Sequence, residues 1–143
     1  MKKDEKKQEA ISPNALYSYA MIEIDNNIKL FNELELNIKK QTQELDIILM
    51  AARNVPGIEK YVEKLLHDSF FPVKDRIHIV RKQYRKFRTR LEDLFTHDST
   101  KERFFNAKIA DLEIILVDKE KFIDDIIQKS IDFIDGKQNS VIM

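Results

Sequence analysis

Residues 12–53 read SPNALYSYAMIEIDNNIKLFNELELNIKKQTQELDIILMAAR. Within this stretch Tyr17, Met21, Ile24, Ile28, Phe31, Ile38, Leu45, Leu49 and Ala52 recur at alternating spacings of four and three, and Glu35 and Thr42 occupy the two places on the same line that lack an apolar side chain. An apolar line of period 3.5 is the seam of a coiled coil. Ile22, Leu30, Leu34 and Ile48 widen it, which predicts that this helix meets two neighbours rather than one. Ser12 followed by Pro13 marks the start: a hydroxyl cap, then a proline where its missing N–H costs nothing. Asn54-Val55-Pro56-Gly57 marks the stop, with Asn54 suited to a left-handed cap and Pro56 unable to continue the ladder.

The same spacing returns twice. Ile58, Tyr61, Val62, Leu65 and Leu66 share a face, Phe70-Phe71-Pro72 interrupts, and Val73, Ile77, Val80, Tyr84, Phe87, Leu91 and Leu94 resume it. After a turn at His97-Asp98-Ser99, where Ser99 and Glu102 have the spacing of a capping box, the line continues on Phe105, Ile109, Leu112, Leu116, Ile123, Ile126 and Phe133. Lys119 and Ser130 stand at its polar positions, and Gly136 is placed to end the helix. The rods are 13–53, 57–96 and 100–135, nearly equal in length and joined by three-residue connections. Short connections make sequential helices antiparallel. The sequence therefore predicts an all-α fold: an antiparallel up-down-up bundle of three long helices, the middle one kinked or broken near Pro72 and then counting as two. Domain boundaries follow, with a disordered charged tail at 1–11, the bundle at 12–136 and a flexible C-terminal tail at 137–143.

Composition agrees. The chain has 143 residues with only 2 Gly and 3 Pro, too few for the tight turns of sheet-rich architectures. With 0 Cys it has no disulfide framework and no thiolate for catalysis or zinc. Lys+Arg and Asp+Glu are equal at 25 each, so overall charge favours neither nucleic acid nor an anionic membrane. The richest apolar run, Ile114-Ile115-Leu116-Val117, is core-sized and far short of a membrane span, and no secretory signal pattern is present, so a cytoplasmic location is expected.

One stretch departs from neutrality. Residues 72–91 carry Lys74, Arg76, Arg81, Lys82, Arg85, Lys86, Arg88 and Arg90 against the single acid Asp75. With Ile77, Tyr84 and Leu91 as seam positions, Lys74, Arg81, Arg88, Arg76 and Arg90 flank the seam, where they would pair with neighbouring helices. The neighbours are acidic: six acids and four bases over 14–53, nine and six over 99–135. Lys82, Arg85 and Lys86 point outward and are the candidate contacts for a partner or for nucleic acid, the latter being the less favoured. Tyr84 and Phe87 belong to the seam rather than to a stacking platform. On the last helix Asp111, Asp118, Asp125 and Asp132 are seven apart and form one outward line, a candidate acidic docking face for a basic protein or a second copy.

Sites for chemistry are wanting. His67, His78 and His97 share no helical face, Glu63 and His67 form at most an isolated pair, and no Glu-x-x-His pairs, glycine-rich phosphate loops or nucleophile elbow occur. No metal, cofactor or catalytic group is expected, and the chain is read as a non-enzyme. The last four residues, Ser140 to Met143, resemble a prenylation box with Ser140 in place of the lipidated cysteine, which would imply a membrane-peripheral protein only if a cysteine belongs there. The expectation is a protein-interaction or adaptor module, with a subunit of a larger helical assembly and a homo-oligomer as the forms it would take. Its contacts are expected on the outer faces of the first and last rods and at Glu35, Thr42, Lys119 and Ser130.

Overall fold

Ser12 and Pro13 begin the first helix as their chemistry requires: the Ser12 hydroxyl accepts the Ala15 N–H at 3.0 Å with Ser12 itself extended. A computed structural model describes residues 11–142, with side chains through Gly136. Helix α1 spans Pro13–Ala51, α2 Ile58–Leu65, α3 Phe71–Arg90, α4 Glu92–His97 and α5 Ser99–Ile142. No strand occurs among the described residues.

The three-rod bundle is present, and its middle rod is built from α2, α3 and α4. A π-helical turn, Leu66–Phe70, joins α2 to α3, with the Phe71 N–H bonded to the Leu66 carbonyl five residues back. Pro72 explains it: without an N–H, and with a ring that crowds the carbonyl four residues earlier, it forces the ladder to widen in the turn before it. Phe70 and Leu66 stay buried through the turn, so the rod is interrupted without losing its apolar face. A second interruption was not foreseen. Leu91, at φ −99° and ψ 2°, separates α3 from α4, although its N–H still bonds the Phe87 carbonyl at 2.9 Å and its carbonyl still accepts from Phe95 at 2.9 Å. Beyond it the buried position is Phe95 rather than Leu94, which is half-buried.

Both turns differ in detail from expectation. At the first, Asn54 is not left-handed; the positive φ, 79°, belongs to Gly57, which alone can take it without strain. The second shrinks to one residue. The Asp98 N–H bonds the Leu94 carbonyl at 2.9 Å, and the Asp98 Oδ1 accepts the Lys101 N–H at 3.1 Å, so a single carboxylate residue closes α4 and caps α5. The Ser99–Glu102 capping box is superseded because Asp98 supplies both a cap and a negative charge at the helix start. Helix α5 also passes through Gly136 to Ile142 instead of ending there; a glycine inside a helix costs only about 0.5–1 kcal/mol. Residues 1–10, where the charged tail was placed, and the side chains from 137 onward, Ser140 included, lie outside the described part of the chain.

Helices α1 and α5 run parallel. Lys101 donates to Asn14, Lys108 to Asp25, Lys119 to Glu35 and Lys129 pairs with Asp46, the partners advancing together along both helices. The middle rod is antiparallel to both: Arg88 bonds Asn106, Arg81 bonds Glu113 and Glu120, and Lys74 bonds Asp124. Every expected seam residue of α5, from Phe105 to Phe133 and including Lys119 and Ser130, is buried. On α1 burial shifts toward Ala20 and Asn27, because the helix faces two rods; Ile22, expected to widen the stripe, is exposed, as is Tyr61 on α2.

The core is in two parts. One gathers Ile24, Phe31, Ile77, Phe105 and Leu112; the other gathers Ile38, Leu45, Val62, Phe70 and Ile123. Leu34 and Val73 touch both. The pair Lys119–Glu35 falls between them in the sequence of layers, with Leu116 on one side and Ile123 on the other.

Candidate interaction surfaces

The basic rod divides by helical position. Arg81 forks onto two carboxylates of α5, with Nη2 2.7 Å from Glu113 Oε1 and Nη1 2.7 Å from Glu120 Oε2. The Tyr84 hydroxyl donates to the other Glu113 oxygen at 2.7 Å. Burial pushes the Glu113 carboxyl up, but the Arg81 guanidinium and the Tyr84 hydroxyl outweigh it and hold Glu113 below the usual range. Hydrogen bonding to Glu113 raises Arg81 further above an already high value. Tyr84 is raised first by burial and then by donating to the Glu113 carboxylate. Lys74 reaches Asp124 at 2.6 Å, and Arg88 bonds Asn106 while lying over the Phe105 ring at 5.7 Å. The positions facing α5 therefore pair as expected.

Arg76 and Arg90 correct the expectation. Neither makes a direct ion pair among the described residues, so with Lys82, Arg85 and Lys86 they are five cations of the rod without one, although the Arg85 charge still acts on Glu113 through space. Arg90 borders a shallow groove with Tyr19, Gln83, Lys86 and Phe87, on the α1 side of the rod where no carboxylate lines the opening. Phe87 is buried and Tyr84 half-buried, and Phe87 meets the Tyr19 ring edge-on at 5.8 Å; the two seam aromatics are core.

The acidic line is exposed throughout. Among the described residues Asp118 pairs only with its neighbour Lys119, at 3.4 Å, Asp125 pairs with Lys129 one turn on at 3.3 Å, Asp132 accepts from Gln128 at 3.0 Å, and Asp111 makes no ion pair. Among the described residues no three His, Cys, Asp or Glu side chains converge as metal ligands. His67 packs edge-on against Phe71, and His97 Nδ1 lies 2.8 Å from the Asp93 carbonyl; neither approaches the other.

Three of the four polar seam residues, Thr42, Lys119 and Ser130, are buried, and the fourth, Glu35, is half-buried. Lys119 is buried and donates to Glu35 Oε1 at 2.9 Å, while Thr42 and Ser130 each donate to the carbonyl four residues back, Ile38 and Ile126, at 2.8 Å. Their polar atoms are consumed inside the bundle.

A feature of α5 went unrecognised in the sequence. Ala110, Ile114, Val117 and Lys121 lie four, three and four apart on the face opposite the core; Ile114 is 70% exposed and Val117 50%. Together with Glu113 and Asp118 they line a shallow open groove of about 620 Å³. The signal was there in Ile114-Ile115-Leu116-Val117, because four consecutive helical residues sweep most of a turn and cannot all face one core. Leu116 is buried, Ile115 half-buried, and the outer two face solvent. Phe104, beside buried Phe105, is likewise exposed. Among the described residues no helix is long and apolar enough to cross a membrane. No protein-family model, curated protein or solved structure matches the chain.

Proposed function

We propose that this chain is a non-catalytic protein-interaction module, an adaptor or one subunit of a larger helical assembly, and that α5 carries its principal contact face. The observation that supports this most is the apolar strip Ala110–Ile114–Val117, solvent-facing on a helix whose opposite side is already fully occupied by core. Leaving two branched apolar side chains in water costs stability that a soluble bundle has no structural need to forgo. Exposed Asp111 and Asp118 border the strip and give it a polar rim, the arrangement of a protein contact.

The test is retention of a protein partner from the cells of origin by immobilised chain, beside Ile114→Asp/Val117→Asp with unchanged helicity. A stoichiometric partner held by the first and lost by the second supports the module. A partner held equally by both, or retention of nucleic acid alone, refutes it.

A second reading, binding of nucleic acid by Lys82, Arg85 and Lys86, is favoured by their exposure and by their making no direct ion pair among the described residues. It predicts a salt-sensitive shift of a generic duplex that the triple Ala variant loses. The burial of Phe87 and half-burial of Tyr84 weigh against it, since neither is free to stack on a base.

A further inference from the structure

The unpaired basic face and the apolar-acidic face are adjacent and lie at the same height. On α3, moving away from the seam with α5, come Arg81, then Arg85, then Lys82, then Ile79 and Lys86. On α5, moving away from the same seam, come Glu113, then Val117 and Ala110, then Ile114, then Asp111 and Asp118. The bonded pairs Arg88–Asn106, Arg81–Glu113 and Lys74–Asp124 set the levels along the rods. Interpolated between them, Lys82 stands level with Asp111 and Leu112, Arg85 and Lys86 stand within one helical turn of Asp111, and Ile79 stands level with Leu116, between Ile114 and Asp118.

We propose that a second copy of this chain covers this face. The geometry points to a two-fold axis parallel to the rods, placed over the α3–α5 seam. That rotation lays α3 of one copy over α5 of the other and keeps every residue at its own height. Lys82 of each copy then stands level with Asp111 of its partner, with Arg85 and Lys86 within a helical turn of that carboxylate and Asp118 about one to two turns to the other side of Lys82, and the two-fold axis makes each contact twice. The aliphatic stems of the lysines and arginines, with Ile79, cover Ile114 and Val117 while the charged heads reach the carboxylates. A partner of one sign would satisfy one rod and repel the other. The charges on these two neighbouring faces are sorted by sign except for Asp75 on α3 and Lys121 on α5, which stand at nearly the same level and are themselves of opposite sign, so the face is complementary to itself. The proposal rests on the α5 face being a contact surface and names what occupies it.

Sedimentation of the purified full chain at low ionic strength tests it. The expected mass is twice the 17.0 kDa of one chain, falling toward one chain as salt rises. Lys82→Glu/Arg85→Glu/Lys86→Glu is expected to sediment as a monomer, and so is Asp111→Lys/Asp118→Lys. Mixing these two variants is expected to restore a dimer containing one of each, because each then opposes the other's charge on both rods. A monomer at every concentration and salt, or a dimer indifferent to both charge reversals, overturns the proposal. If the chain is monomeric but Ile114→Asp/Val117→Asp abolishes capture of a different protein, self-association fails and the interaction-module reading survives. A monomer that binds duplex nucleic acid through the basic triad overturns it as well.

Discussion

Lys119 and Glu35 meet across α5 and α1 at the junction of the two halves of the core: the ammonium of a side chain only 7% exposed donates at 2.9 Å to a carboxylate that is itself 40% exposed. The asymmetry in burial makes the two partners unequal. Removing the carboxylate leaves an ammonium with only Asp118, at 3.4 Å, to offset its lost hydration. Removing the ammonium leaves a carboxylate that water can reach. We expect Glu35→Ala to lower the urea midpoint and Lys119→Met, whose stem fills the same space, to leave it near that of the parent or above it. Equal losses for the two would mean that the ammonium is solvated in the folded chain.

The basic rod contains two classes of arginine that look alike in sequence. Arg81 is 15% exposed and satisfies Glu113 and Glu120 at once, whereas Arg85 is exposed, makes no direct ion pair among the described residues and acts on Glu113 only through space. Arg81→Ala strands two partly buried carboxylates side by side and is expected to cost about 1.5–3 kcal/mol. Arg85→Ala and Lys82→Ala are expected to stay within about 0.5 kcal/mol of the parent. Thermal or urea denaturation of the three variants separates the classes, and a comparable loss at Arg85 would show that it too has a folded-state partner.

Acid should weaken the bundle through the same carboxylates. Glu113 and Glu35 are both held below their ordinary value of 4.5, Glu113 by Arg81 and Tyr84 against the upward push of burial, Glu35 by the Lys119 hydrogen bond and charge and by Lys39. Each binds its proton more weakly folded than unfolded. The stability they contribute is therefore whole above the unfolded value and disappears as pH falls through the lower, folded one. Arg81 is charged throughout and adds no slope. The urea midpoint is expected to be level from neutrality to about pH 5.5 and to fall toward about pH 3, with a smaller fall in Glu113→Gln. A fall of equal size in that variant would place the acid sensitivity elsewhere.

Much of this was legible before any coordinates. Helix α5 could be read position by position, because its core line keeps one phase from Phe105 to Phe133, and even Lys119 and Ser130 were placed on it. Where the phase slips, sequence spacing fails. Leu91 breaks the ladder without glycine or proline, and the buried residue passes from the expected Leu94 to Phe95, which packs between Tyr17 and Phe105. On α1 the sequence predicts two neighbours but widens the line with Ile22, which is exposed; the strip between the two neighbours instead brings Ala20 and Asn27 inside. Of the candidate contacts, Lys82, Arg85, Lys86 and the four aspartates do face outward, as a heptad wheel places them. Ile114 and Val117 escaped because a run of apolar residues reads as core until it is wound onto a helix, and Arg90 because which side of a rod carries acids is set by tertiary arrangement.

The two glycines supply opposite expectations. Gly57 has φ 79° and open space where a side chain would go, so an added methyl meets no atom and acts only on the backbone, forcing an L-residue into a left-handed conformation. Gly57→Ala is expected to cost about 1–2 kcal/mol. Gly136 is helical, and a methyl there would sit 3.4 Å from the Arg53 Nη2, the far end of a flexible side chain that can yield. Its substitution removes backbone freedom from the unfolded chain without straining the folded one, and Gly136→Ala is expected to gain about 0.5–1 kcal/mol. The sign at Gly136 decides how α5 ends. A gain is what a helix running on to Ile142 requires, whereas a loss as large as that at Gly57 would mean that Gly136 is the left-handed cap at which the helix stops.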